Sequence, residues 1–161
     1  MKKIILPITF ILITVSVVQA QESKFKALFI YKFSEYITWP SGGSQVTIGV
    51  LGDTPVYNEL AKIAQSKSDL SIIKLSSLSK LSECQIIYLP GNRSKSASSI
   101  QSQIGSRSIL LVADDKSTTG EGSDIGFFLQ GGKLRFLIHE SGIRKKRMIP
   151  NSKLLALGQT I

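Results

Sequence analysis

One cysteine, one histidine and one tryptophan are all that the 161 residues contain of these three types. A lone Cys excludes an internal disulfide and any zinc site built on cysteine pairs. A lone His means that any imidazole acid/base or nucleophilic scheme must use His139, and no local motif supplies it with a nucleophile. Acids are also few: 11 Asp and Glu stand against 20 Lys and Arg, a formal charge of +9. They are scattered, and Cys84 and His139 fall in separate segments, so no metal-ligand spacing is visible and no cofactor is implied. Neither the dinucleotide fingerprint nor the P-loop pattern occurs, and Gly120-Glu121-Gly122 reads as a flexible loop. Apolar residues at 42% and charged residues at 19% exclude the compositional signature of disorder. The length suits one domain with a core of its own.

The chain opens with Lys2 and Lys3, an apolar run from Ile4 to Val18, and Val18-Gln19-Ala20 ahead of the polar Gln21-Glu22-Ser23. This is the three-part layout of a secretory signal peptide, expected over residues 1–20 with the cut after Ala20. The run is shorter than the roughly 18 to 20 residues of a bilayer span, and Pro7, Thr14 and Ser16 dilute it. No Cys follows it, which excludes a lipoprotein anchor. Loss of Lys2 and Lys3 takes the charge from +9 to +7. In an exported, periplasmic protein that excess suits an anionic lipid face, an acidic partner or an anionic ligand, and nucleic acid becomes a poor candidate. Cys84 would then lie in an oxidising compartment with no internal partner, and its strand-like neighbours predict burial.

From residue 21 the expected class is α/β: one three-layer-like domain with a mixed sheet, parallel βαβ units and a C-terminal antiparallel hairpin. Phe25, Leu28, Phe29, Phe33, Tyr36 and Ile37 have helical spacing over Lys24–Trp39, a stripe read as core packing, with the end near Thr38 before Pro40. Strands are expected at Gln45–Leu51, Leu70–Leu75, Cys84–Leu89 and Ser108–Ala113, the last two buried on both faces. Helices are expected at Val56–Gln65, capped by Asp53 or Thr54 before Pro55, more weakly at Arg93–Ile104, and at Asn151–Leu157. Asp124–Leu129 and Lys133–His139, joined by Gln130-Gly131-Gly132, read as the hairpin.

Three readings of function follow from the residues. The densest charge feature, Arg144-Lys145-Lys146-Arg147, is either a solvated face or, with Arg135 and His139, a docking surface for an acidic partner. The strand ends near Gly52, Pro90 and Asp114 are where open α/β sheets place small ligands. A hydrolase would have to pair His139 with an acid such as Asp114.

The segment Ala27-Leu28-Phe29-Ile30-Tyr31-Lys32-Phe33-Ser34-Glu35-Tyr36-Ile37-Thr38-Trp39-Pro40, followed by Ile48-Gly49-Val50-Leu51-Gly52, resembles the opening of the YfiR-like family of exported bacterial proteins. Cys84–Leu89, Ile109–Ala113, Asp124–Leu129 and Lys133–Ile138 follow in that family's order. The resemblance implies a small periplasmic α/β module without catalysis, whose partner is an inner-membrane signalling protein such as a GGDEF diguanylate cyclase. Repression of that partner would control cyclic di-GMP and biofilm formation. His139 stands where the family tends to have Asn, and Cys84 alone cannot support disulfide control of such a repressor.

Overall fold

The computed structural model describes residues 8–40, 42 and 45–161, with side chains from Ala20 onward. Helix α1 (Ile8–Tyr36) is longer than the expected helix from Lys24, because nothing between Ile8 and Lys24 breaks a helix. Of the expected leader, residues 1–7 lie outside the described residues and residues 8–20 continue α1. The helix stops two residues before the expected Thr38. Ile37–Thr38 (β1) pair with Ile149–Pro150 (β8) as a small antiparallel sheet.

The remaining strands form one seven-stranded sheet. They are β2 (Val46–Leu51), β3 (Leu70–Leu75), β4 (Ile86–Leu89), β5 (Leu110–Ala113), β6 (Ile125–Gln130), β7 (Lys133–Ile138) and β9 (Gln159–Thr160), in the order β3-β2-β4-β5-β6-β7-β9. The first five run parallel, β7 returns antiparallel to β6, and β9 lies parallel to β7 over Leu137 and Ile138. Gly131 and Gly132 turn the hairpin with φ of +57° and +72°, both in the left-handed region that a two-residue loop of this type requires.

Helices cover both faces. Helix α2 (Pro55–Ala64) starts as its sequence predicts, with the Thr54 hydroxyl accepting from the Val56 N–H and Pro55 in the first turn. Helices α1, α2 and α5 (Ser152–Leu157, capped by Asn151) join one core with Ile48, Val50, Ile86, Tyr88, Leu110 and Val112. Helix α3 (Ala97–Ile104), preceded by a 3-10 turn over Gly91–Ser96, packs on the other face against Leu51, Leu75, Ile87, Leu89, Leu111 and Ala113. Strands β4 and β5 are therefore buried on both sides, as their unbroken apolar runs imply. At the hairpin, Phe29 and Phe33 of α1 meet Phe127 and Phe136 with ring centroids 5.0–6.3 Å apart. Such contacts contribute about 0.5–1.5 kcal/mol each beyond area burial. Helix α4 (Glu140–Lys145) and the two-residue strands have no expectation to match.

Cys84 is buried, with its sulfur against Gly49, where an added Cβ would lie 2.6 Å from both Cys84 Sγ and Leu75 Cδ1. Burial pushes the thiol up from 9.0 to about 11. Across that interval the unfolded thiol loses its proton and the folded one keeps it, so its contribution to stability is present below pH 9 and is lost as pH rises through 11. Cys84→Ala is expected to flatten this loss in urea unfolding across the alkaline range. A stability difference between the two proteins that does not change with pH would disprove it.

Candidate functional site

The antiparallel return of β7 brings its last residues to the end of the sheet where the parallel strands begin. Here Asp124, just ahead of β6, donates its N–H to Leu111 O at 2.8 Å and accepts the Leu111 N–H on Oδ2 at 2.7 Å. Lys146, just past α4, directs its ammonium onto Asp124 Oδ2 at 2.7 Å, Gln101 Oε1 at 2.8 Å and Ile109 O at 3.0 Å. The Lys146 and Asp124 side chains are only 5% and 4% exposed. Burial pushes the Asp124 carboxyl above its usual range, against the pull of Lys146 and the Leu111 N–H.

The run Arg144-Lys145-Lys146-Arg147 is therefore not one solvated or docking face. Lys146 lies inside, Arg144 pairs with Glu140 at 2.7 Å, and Lys145 and Arg147 are exposed. The run straddles a helix end and a left-handed turn at Arg147 (φ +62°), so successive side chains diverge.

Above the Asp124–Lys146 pair is a cavity of about 360 Å³ lined by His139, Lys145 and the loop Gly120–Ser123. His139 Nε2 lies 2.9 Å from Ser141 Oγ, and its backbone N–H donates to Asp124 O at 2.8 Å. The loop is not a phosphate cradle. The Gly120 amide donates to Ser123 O, and the amides of Gly122 and Ser123 donate to Thr118 O. Arg135 stands apart from this cavity, exposed on β7 four residues before His139, about 13 Å along a strand.

Asp114 is at the opposite end of the sheet, after β5. Its carboxylate lies 2.7 Å from the buried Lys26 ammonium of α1, which also pairs with Glu22. Burial pushes the Asp114 carboxyl up, while Lys26 and Tyr88 draw it down. With His139 at the strand starts and Asp114 at a strand end, the two do not share a site, and a His139–Asp114 pair has no geometric basis. Gly52, Pro90 and Asp114 lie on one edge of the sheet: Gly52 lines a crevice of about 190 Å³, and Asp114, held by α1, donates its N–H to Leu89 O at 2.9 Å beside the buried Pro90. Among the described residues, no group of three or more His, Cys, Asp or Glu is placed to hold a metal ion.

The helical stripe of α1 conceals a further surface. Phe33 is in the core, but Phe25 is 45% and Leu28 44% exposed. Phe25 and Phe29 form a groove of about 490 Å³ with Leu129 and Leu134 of the hairpin, rimmed by Glu22 and Lys133. Leu129 is 58% exposed. Helical spacing marks all these α1 positions as one face. Only the sheet's limited extent decides which of them it covers.

A family model described as YfiR/HmsC-like matches residues 23–159. The chain belongs to the YfiR/HmsC-like family. A search of the curated proteins finds no match. The YfiR/HmsC-like match runs from within α1 to the first residue of β9, so the hairpin, the Asp124–Lys146 pair and the groove's apolar residues lie inside it, with Glu22 of the rim just outside. No helix among the described residues of this YfiR/HmsC-like chain is long and apolar enough to cross a membrane.

Lys146→Met leaves the buried Asp124 without its counter-ion and is expected to cost about 3–5 kcal/mol in urea unfolding. Lys145→Met, one residue away and exposed, is expected to stay within about 0.5 kcal/mol. Equal effects at the two positions would show that the pair does not hold this end of the fold.

Proposed function

We propose that this protein is an exported, non-catalytic regulator that acts in the periplasm on a membrane-bound signalling protein of the diguanylate cyclase kind and represses it. Membership of the YfiR/HmsC-like family carries this reading. The separation of His139 from Asp114 supports the absence of catalysis, since it removes the one acid/base pairing that the residues suggested.

The docking surface is the groove between α1 and the hairpin. Exposed apolar side chains at Phe25 and Leu129 offer area to bury. Lys133 on the rim and the exposed Arg135 add positive charge, which suits an acidic periplasmic segment. His139, Lys145 and Arg147 lie beyond the other end of β7, away from this groove. Arg144 there is neutralised by Glu140.

Deletion of the gene is expected to raise cellular cyclic di-GMP, and the wild-type gene to restore it. A Phe25→Asp, Leu129→Asp double variant that is exported and unfolds in urea like the wild type is expected to fail in that restoration. Unchanged cyclic di-GMP on deletion would overturn the regulator reading. Full restoration by the double variant would move the docking surface elsewhere.

A further inference from the structure

Within the parallel part of the sheet the order β3-β2-β4-β5-β6 reverses direction between β2 and β4. The chain leaves β2 toward α2 on one face and leaves β4 toward α3 on the other. The loops after these two strands therefore part above the sheet and leave a crevice beyond the strand ends, the place where open α/β sheets bind ligands. In this protein the crevice is the one of about 190 Å³, and its lining comes from both loops and from the end of β3: Gly52, Ser76, Ser77, Arg93, Ser96 and Ser99.

The chemistry of that lining is one-sided. It holds a guanidinium and four hydroxyls over an apolar floor of Leu51, Leu75 and Ile100, with no carboxylate. The acid after Gly52 in the chain, Asp53, is bonded to Lys74 at 2.9 Å. Among the described residues Arg93 has no ion-pair partner and the Ser76 and Ser96 hydroxyls make no hydrogen bond, whereas Ser77 Oγ lies 2.9 Å from Ser79 Oγ and Ser99 Oγ donates to Ser96 O at 2.9 Å. The donors are side chains rather than a helix end, because the first α3 amide already donates to Ser94 O. A guanidinium beside unpaired hydroxyls, with no competing acid in the lining, suits an oxyanion of several acceptor oxygens. On the same edge of the sheet, the strand end after β5 is taken by the Lys26 ammonium against Asp114.

We infer that the crevice between the β2 and β4 loops binds a small phosphate-class oxyanion, with Arg93 as its charge partner and Ser76 and Ser96 as donors. The volume admits the anion itself or the head of a compact phosphate monoester. The site lies by β2 and β3, at the opposite flank of the sheet from the hairpin groove, and does not depend on the docking reading.

Thermal unfolding of the purified protein with inorganic phosphate, against chloride at matched ionic strength, tests this without any partner. Phosphate is expected to raise Tm saturably. Arg93→Gln, on an exposed turn, is expected to weaken half-saturation ~10-fold or more. Lys95→Gln, an exposed cation on the same turn that does not line the crevice, is expected to leave half-saturation unchanged. Amide shifts on phosphate addition should centre on Gly52, Ser77 and Ser96. Glycerol phosphate as a second probe separates the sources: tighter binding than inorganic phosphate identifies a monoester ligand, and equal or weaker binding identifies the free ion. A non-saturating response, or the same response from wild type and Arg93→Gln, would show a general salt effect and overturn the site.

Discussion

A lysine ammonium placed in a protein interior has to be matched donor for donor, and the arrangement around Lys146 meets that requirement. Its three contacts come from α3, from Ile109 just before β5, and from Asp124 ahead of β6, while the lysine itself follows α4. Four segments distant in sequence therefore converge on one nitrogen. Desolvating two such ions costs several kcal/mol each, so the pair tolerates no looseness in the elements that supply its partners. It fixes where β6 starts, hence the register of the hairpin, and through the hairpin the position of Leu129 and Leu134 against α1.

The same accounting alters the meaning of the net charge. A surplus of basic residues suggests a uniformly positive surface, but Lys26 and Lys146 are internal and matched to acids at the two ends of the sheet. What stays outside is distributed: Lys133 and Arg135 on the hairpin, Lys145 and Arg147 beyond α4, Arg93 in the crevice between strand loops. Each of these meets a different neighbourhood, apolar at the hairpin and hydroxyl-rich at the crevice. One chain can therefore present two chemically distinct recognition surfaces.

Much of the architecture was legible because it rests on local pattern. Leu110–Ala113 and Ile86–Leu89 lack alternation and are buried on both faces, Thr54-Pro55 starts a helix, and the glycine pair at 131 and 132 turns the hairpin. The site was less legible, because its groups are defined by partners far away in sequence. Nothing near Lys146 distinguishes it from Lys145 until Asp124, 22 residues earlier, is placed beside it. Phe25 and Phe33 have equal standing on a helical wheel, and only the edge of the sheet makes one exposed and the other core. The opposition of His139 and Asp114 likewise follows from the antiparallel direction of β7, which no spacing between the two residues reveals.

The short pairing of Ile37 and Thr38 with Pro150 and Ile149 joins segments more than a hundred residues apart, and the Asn151 N–H donates to Tyr36 O at 2.9 Å beside it. These bonds span more than a hundred positions, so they cannot form until the C-terminal residues have been synthesised. Strand β9, on which the outer edge of β7 closes, is later still. Closure of the small sheet thus waits until the residues between Thr38 and Ile149 have been made. Long-range closure of this kind is slow relative to local helix formation, because the loop entropy must be spent before the contacts return it.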